Sequence, residues 1–394
     1  MPSWFSKISP FKDLNMPTLR SLLLAASLFF NTSFAIAADV PPPPNMAVKS
    51  YALLDINSDR FIAEQDADMR VEPASLTKVM TAYLTFKALQ NNHLKPDQQV
   101  PVSTYAWKAE GSRMFIEPNR PVTVEELLHG VIVQSGNDAS IALAEAIAGS
   151  EEVFAQLMNQ EAKRLGMHNT NFKNSTGLPD PDHYTTARDL AVLASALIRD
   201  FPEQYRRLYS VKEYTYNNIT QPNRNLLLWR DPHVDGIKTG HTKAAGYCLM
   251  TSAKRGDMRL ISVVLGATSE NARAAESQKL LNYGFQFYES QLVYKVGDAI
   301  SQFKVWKGKE NTLAATVAED LFITLPKGEY SRVKATLTSR QPLIAPIKAG
   351  QEIGTIEFTL DGKVIDSQKL VASKDVSIAG FFGRLWDTIR LWFV

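Results

Sequence analysis

A single cysteine, Cys248, stands among 394 residues, so no intramolecular disulfide can hold this chain together. It lies in the apolar run Tyr247-Cys248-Leu249-Met250, where a lone thiol reads as a small buried hydrophobe. Charge of one predominant sign is lacking too: 43 Lys and Arg face 41 Asp and Glu, a formal net charge of +2. That balance excludes the basic footprint that phosphate neutralisation asks of a nucleic-acid binder. Histidine is scarce. His93, His129, His168, His183, His233 and His241 show no short ligand spacing, which removes a zinc peptidase and leaves no ground for expecting a metal or other cofactor. No Gly-x-Ser-x-Gly elbow occurs, which argues against a Ser-His-Asp hydrolase. Long apolar runs are also missing near the N-terminus. Leu22 to Phe30 is interrupted by Asn31, Thr32 and Ser33, well short of the about 20 residues that a spanning helix requires.

What is there begins with a leader. Arg20, the short apolar core and the small-residue stretch Ala35-Ile36-Ala37-Ala38 predict a cleaved secretory peptide over residues 1–38 and hence an exported protein, with Met1 and Met16 both open as the start. The proline run Pro41 to Pro44 makes residues 39–46 an extended linker. Hydrophobic residues form 45% of the chain, enough for one large core and a second, smaller one.

The first domain is expected over residues 47–285. Tyr51 to Asn57 and Phe61 to Glu64 flank Ser58-Asp59-Arg60 and read as a hairpin. Helical patterns follow from Pro73 to about Gln90, Asn137 to Ala148, Glu151 to Leu165 and Ala187 to Arg199, with capping signals at Thr123/Glu126 and Thr186/Asp189. Strands return at Gly246 to Ala253 and Met258 to Ala267, joined by Lys254-Arg255-Gly256-Asp257. Strands at both ends with helices between them predict an α/β (α+β) fold, one antiparallel sheet covered by a helical insertion. From 286 to 376 the helical period disappears and turn signals recur at Lys307-Gly308, Pro326-Lys327-Gly328, Ala349-Gly350 and Asp361-Gly362, which predicts an all-β, sandwich-like second domain.

Ser75-Leu76-Thr77-Lys78 puts a hydroxyl and an amine three residues apart, on one face of a helix and about 5–6 Å apart at Cβ. The pattern also occurs at Ser9/Lys12, Ser301/Lys304 and Ser331/Lys334, but the first precedes the leader core and the last two fall in predicted strands. Only Ser75 opens a long helix, where the dipole stabilises a forming alkoxide and backbone N–H groups are free. Lys78 is surrounded in sequence by Leu76, Val79, Met80, Tyr83 and Leu84; burial lowers a lysine pKa, and a second nearby cation lowers it further, towards a neutral base. Ser135-Gly136-Asn137 and Lys238-Thr239-Gly240 follow in the order that marks penicillin-binding proteins and class A β-lactamases.

On these motifs, with their local contexts Glu72 to Thr81, Gln134 to Asp138, Asp235 to His241 and Gly380 to Gly383, the chain resembles the low-molecular-mass penicillin-binding proteins. These are serine D-alanyl-D-alanine carboxypeptidases with a C-terminal β domain and an amphipathic tail. The resemblance implies a penicillin-binding transpeptidase-like fold, no cofactor, and two partners, peptidoglycan pentapeptide stems and β-lactam antibiotics. It makes Ser75 the acylating nucleophile and Lys78 its base, with Ser135 relaying protons and Asn137 holding the substrate amide. Lys238 and Thr239 would bind the terminal carboxylate, the N–H groups of Ser75 and His241 would form the oxyanion hole after Gly240, and Arg273 is a further candidate for the carboxylate. Two departures stand out: Ala139-Ser140 where many relatives carry a cysteine two residues after the motif asparagine, and Leu178-Pro179 where relatives often place an acidic residue. Asp180 and Asp182 are candidates to substitute there.

The alternatives are a serine β-lactamase, whose Glu-x-x-Leu-Asn loop is missing between the second and third motifs, and a non-catalytic wall-binding protein. Finally, Ile378, Phe381, Phe382, Leu385, Trp386, Ile389, Trp392 and Phe393 recur in steps of three and four, so residues 377–394 predict an amphipathic helix lying on the inner-membrane surface at its periplasmic face.

Overall fold

The computed structural model describes residues 40–392; the expected leader over 1–38 and Phe393 of the tail lie outside them. β1 (Ser50–Asp55) and β2 (Arg60–Gln65) form the opening hairpin. Pro73 then leads into a 3₁₀ turn over Ala74–Thr77 that runs directly into α1 (Lys78–Gln90). α1 is buried on nearly every side, so it is a core helix with little amphipathic contrast. β3 (Gln99–Val100), α2 (Thr104–Trp107) and β4 (Val122–Thr123) precede α3 (Val124–His129), which Thr123 and Glu126 start with a reciprocal capping box. A π turn over Gly130–Gln134 ends on Ser135 and hands over to α4 (Asn137–Ala148) and α5 (Glu151–Leu165). α6 (Ala187–Asp200) starts on the Thr186 cap, and α7 (Pro202–Leu208) starts on its proline. A short hairpin, β5 (Glu213–Tyr216) and β6 (Ile219–Pro222), turns through Asn217 and Asn218 at φ 51° and 58°. After α8 (Leu227–Arg230) come β7 (Val234–Thr242), β8 (Gly246–Arg255), β9 (Met258–Ala267) and α9 (Glu270–Phe287).

The five long strands form one antiparallel sheet in the order β2-β1-β9-β8-β7. The first and the last strands in sequence meet at its centre, and helices α1 to α8 enter as an insertion between β2 and β7, with α9 following β9. Alternation along β1 assigns Ala52 and Leu54 to the core shared with α1, α4 and α6, and Tyr51 and Leu53 to the core shared with α9. Both faces of the sheet are therefore covered, which holds β7, an edge strand, rigid against the 3₁₀ turn.

α9 runs on to Phe287, and β10 (Tyr288–Tyr294) opens the β domain immediately after it. β11 (Ser301–Trp306), β12 (Thr312–Thr316), β13 (Leu321–Pro326), β14 (Val333–Ser339), β15 (Leu343–Ile344), β16 (Glu352–Leu360) and β17 (Lys363–Ala372) complete it. A six-stranded sheet, β14-β16-β17-β12-β11-β15, and the β10–β13 ribbon close on one core that includes Leu313, Ile323, Leu325, Ile353, Phe358 and Leu370. Ser331 lies in a 3₁₀ turn ahead of β14 rather than in a strand, so its spacing to Lys334 carries no shared strand face. The two domains meet where buried Asp55 accepts from the Thr324 hydroxyl, Ser58 Oγ donates to that same hydroxyl at 2.7 Å, and Arg60 donates to the Thr324 carbonyl. α10 (Phe381–Leu391) ends the described chain.

Candidate active site

The site assembles around the entry into α1. Leu76 N–H closes on the Pro73 carbonyl at 3.1 Å, the i to i+3 bond of a 3₁₀ turn, so Ser75 stands in that turn and Lys78 is the first α-helical residue. In a 3₁₀ turn residues three apart eclipse. The Lys78 amine accordingly lies 3.1 Å from Ser75 Oγ. Ala74, just ahead of the serine, holds φ at +49°, a left-handed conformation that costs a non-glycine residue on the order of 1–3 kcal/mol. Surrounding elements fix that strain: Gly177 packs so closely that a Cβ on it would sit 1.7 Å from the Ala74 carbonyl oxygen.

Lys78 is buried, 1% exposed, and its Nζ also donates to Asn137 Oδ1 and to the Thr176 carbonyl, each at 2.6 Å. Asn137 begins α4 and donates one of its Nδ2 hydrogens to the Glu110 carbonyl at 2.6 Å, which fixes the amide so that its oxygen faces Lys78. The other Nδ2 hydrogen has no partner among the described residues. Next to it, buried Asp138 accepts from the backbone N–H groups of Met114, Phe115 and Ile116 and so shapes the loop that borders the site. Ser135 is buried at the end of the π turn with φ +60°, two residues before Asn137; the three hydrogen-bond partners of Lys78 do not include it.

The opposite wall is β7. Gly240 lets this strand close on the turn, since a Cβ there would meet Leu76 N at 3.3 Å and Ala74 Cβ at 3.2 Å. Lys238 and Thr239 are buried on that strand, and the Lys238 amine donates to the Thr239 carbonyl at 3.0 Å. His241 is exposed at the rim, its ring 4.1 Å from that of Tyr247. Arg273 sits on α9, behind the strand and buried: it donates to the Gly240 carbonyl at 3.5 Å and to the Arg224 carbonyl at 3.4 Å, and its guanidinium lies 5.6 Å over Tyr247. It braces the wall from outside. Arg224, which no sequence pattern marks, reaches the site from the loop after β6 and donates to Ser112 Oγ at 2.8 Å.

Burial and then Arg224 pull the Lys78 pKa down to about 7, against opposing pulls from Asp138 and Glu151. Lys238 is also held well below the ordinary lysine value, by burial first and then by Lys78, Arg224 and Arg273. Arg224 is thus the added cation that most affects Lys78. Lys78, Arg224 and Arg273 thus all act on the Lys238 amine, an arrangement that invites an anion.

Asp180 and Asp182 stand outside the Lys78 contacts; Asp180 accepts from Asp182 N–H, and the loop reaches the Lys78 amine through the Thr176 carbonyl instead. Cys248 is buried between β7 and β9, with its thiol pushed up to about 11 by burial. Among the described residues no cluster of His, Cys, Asp and Glu is arranged to hold a metal ion. The motifs do not line the cavity of about 660 Å³ between the domains, which is bordered by Asn57, Arg199, Arg259 and Glu319 among others.

Residues 37–269 match the family described as D-alanyl-D-alanine carboxypeptidase, and residues 288–377 match the C-terminal domain of penicillin-binding protein 5. Among curated relatives, D-alanyl-D-alanine carboxypeptidase DacC of Escherichia coli (strain K12) is 44% identical over 374 residues, 93% of each chain. Among solved structures, penicillin-binding protein 5 from Haemophilus influenzae superposes with a TM-score of 0.82 at 42% identity, covering 86% of this chain and 99% of that one. Penicillin-binding protein D2 from Listeria monocytogenes, in its ampicillin-bound form, matches 62% of this chain and all of its own at 31% identity with a TM-score of 0.57. With the fold, the order of the motifs and these likenesses in agreement, the chain belongs to the D-alanyl-D-alanine carboxypeptidase family, serine-type penicillin-binding hydrolases that act in cell-wall remodelling.

Proposed function

We propose that this protein removes the terminal D-alanine from peptidoglycan pentapeptide stems through an acyl-enzyme on Ser75, with Lys78 as the base, and that β-lactams acylate the same serine. The observation that carries the mechanism is the set of neighbours around the Lys78 amine. A neutral amine has two N–H donors and one lone pair. Asn137 Oδ1 and the Thr176 carbonyl, both pure acceptors at 2.6 Å, take the two hydrogens, which turns the lone pair towards the Ser75 hydroxyl at 3.1 Å. Burial and Arg224 bring the pKa of that amine down to about 7, so a substantial share of it is neutral near pH 7.

The chemistry follows. Ser75 Oγ attacks the carbonyl of the penultimate D-alanine as its proton passes to Lys78 Nζ. The tetrahedral oxyanion is met by the N–H groups of Ser75 and His241, donors of a kind worth roughly 3–4 kcal/mol each in related chemistry. When the C–N bond breaks, the leaving D-alanine amine takes a proton, with Ser135 as the relay, and a Ser75 ester is left. Water then attacks the ester with Lys78 again accepting the proton, and Ser75 is regenerated. Lys238, Thr239 and Arg224 receive the terminal carboxylate, whose charge offsets the repulsion among the cations. Release of D-alanine from a pentapeptide, with no release from the corresponding tetrapeptide, tests the assignment. A wall-binding protein would release none.

We further propose an exported protein resting on the periplasmic face of the inner membrane through α10. Asp387 accepts from Lys307 N–H at 2.6 Å, so the polar side of the helix faces the β domain while Ile378, Phe381, Phe382, Leu385, Trp386, Ile389 and Trp392 are exposed. At about 16 Å this helix is too short to span, and among the described residues no helix is long and apolar enough to cross a membrane. An exposed Trp- and Phe-rich stripe matches an interface.

A further inference from the structure

The geometry around Lys78 depends on a backbone carbonyl, and a carbonyl in a loop holds its direction only if the loop is held. Ser175 and Thr176, whose carbonyl grips Lys78, belong to such a segment, and both are buried. Ser175 is tied to α1 from one side, through Thr81 Oγ1 donating to its carbonyl at 2.7 Å. From the other side it is tied to Glu151, while Asn174 Oδ1 accepts from Thr176 N–H at 3.2 Å, Thr176 Oγ1 at 2.9 Å and Gly177 N–H at 2.7 Å and so shapes the turn locally. Glu151 Oε1 accepts from Ser175 N–H at 2.9 Å and from Ser175 Oγ–H at 2.6 Å, while Oε2 accepts from the Tyr105 hydroxyl at 2.8 Å. A glutamate in the first turn of a helix ordinarily stays in solvent as a partner of the dipole. Here both oxygens of Glu151 are engaged by donors from two other parts of the fold, α2 and the loop after α5.

We propose that Glu151 is a positioning residue for the acylation step: it clamps the Ser175–Thr176 segment so that the Thr176 carbonyl holds the Lys78 amine in line with Ser75. The inference rests on the reading of Lys78 as the base. Lys78 is faced by Arg224 from the loop after β6, by Lys238 from β7, by Asp138 from α4 and by Glu151 from α5. Glu151 is one of the two carboxylates that oppose the cations, so its removal makes the amine easier to deprotonate.

The test measures acylation by a fluorescent penicillin in the full-length protein between about pH 5 and 9, where the rise with pH reports deprotonation of the base. Glu151→Gln keeps the shape and an acceptor for Ser175 but loses the charge, so its rising limb moves to lower pH with a plateau close to that of the unmodified protein. Glu151→Ala loses the clamp as well, and its plateau drops about 10- to 100-fold, the scale of a misplaced reacting group. A plateau in Glu151→Ala equal to that of the unmodified protein overturns the proposal, and so does a plateau in Glu151→Gln as low as in the alanine variant, because rescue by the shape-conserving variant is what separates positioning from a general structural loss. Lys78→Gln, run in parallel, separates the two readings: if it still acylates, Lys78 is not the base, whereas if it is inactive and Glu151→Ala keeps the full plateau, only the role of Glu151 fails.

Discussion

Lys78 Nζ stands 3.1 Å from Ser75 Oγ and 2.6 Å from Asn137 Oδ1, so one buried amine joins the first motif to the second. Its chemistry requires the lone pair. Lys78→Arg keeps a positive group at the same place but stays protonated, so acylation by penicillin is expected to fall by at least about 10²-fold, the lower range for losing a general base. In the unmodified protein, acylation should rise with pH through about 7 as the amine becomes neutral. A profile that falls with pH across that range would contradict the assignment.

Lys238→Gln tests the anion site. Lys238 is buried beside Thr239 and repelled by Lys78, Arg224 and Arg273, so an arriving carboxylate relieves that repulsion. The variant should lose far more kcat/KM on peptides ending in a free carboxylate than on amidated analogues. Equal losses would mean that Lys238 does not read the carboxylate.

The contact between Gly177 and Ala74 bears on both stability and rate. Gly177→Ala adds a Cβ within 1.7 Å of the Ala74 oxygen at a φ of +86°, where neither backbone can move without disturbing Ser75 or the Thr176 carbonyl. A loss of roughly 2–5 kcal/mol is expected from overpacking and left-handed strain together. Thermal melting and penicillin labelling should fall together in this variant.

His183 gives the fold an acid sensitivity. It is buried against Phe172 with Nε2 3.1 Å from Thr77 Oγ1, and burial lowers its pKa from 6.5 to about 4. The unfolded chain therefore binds a proton between about pH 6.5 and 4 that the folded chain refuses, so stability is intact above that window and declines as pH falls through it. The contribution is on the order of 3 kcal/mol. His183→Gln, neutral at every pH, should show a flatter dependence of melting temperature across the window; an unchanged slope would exclude His183.

The sequence makes Ser75 and Lys78 legible because a three-residue spacing puts two side chains on one face in a 3₁₀ turn as in an α-helix; only the type of turn differs, through the left-handed Ala74. The antiparallel sheet is legible from β8 and β9, whose apolar runs are long and joined by a short turn. Arg224 and Glu151 are not. Each acts through partners more than twenty residues away or through a backbone carbonyl, and neither leaves a periodic trace. Asp138 lies inside a recognisable motif, yet its work of holding the 114–116 backbone depends on tertiary contact. The β5–β6 hairpin is too short and too polar for alternation to mark it, although Asn217-Asn218 carries the turn signal.

Deleting the chain from Ile378 should release the protein from membranes while leaving soluble activity, because α10 touches the β domain through Asp387 and Lys307 and the motif residues lie in the other domain. Fractionation followed by assay checks this. A truncated protein that still sediments with membranes, or one that is soluble but inactive, would contradict the anchor.

The most direct test of the account is the mass of the acyl-enzyme. Incubation with penicillin followed by digestion should place one penicilloyl adduct on the peptide that contains Ser75, and Ser75→Ala, which removes a single oxygen in the turn, should melt normally and carry no adduct. An adduct on any other residue, or one that persists in Ser75→Ala, would contradict Ser75 as the nucleophile.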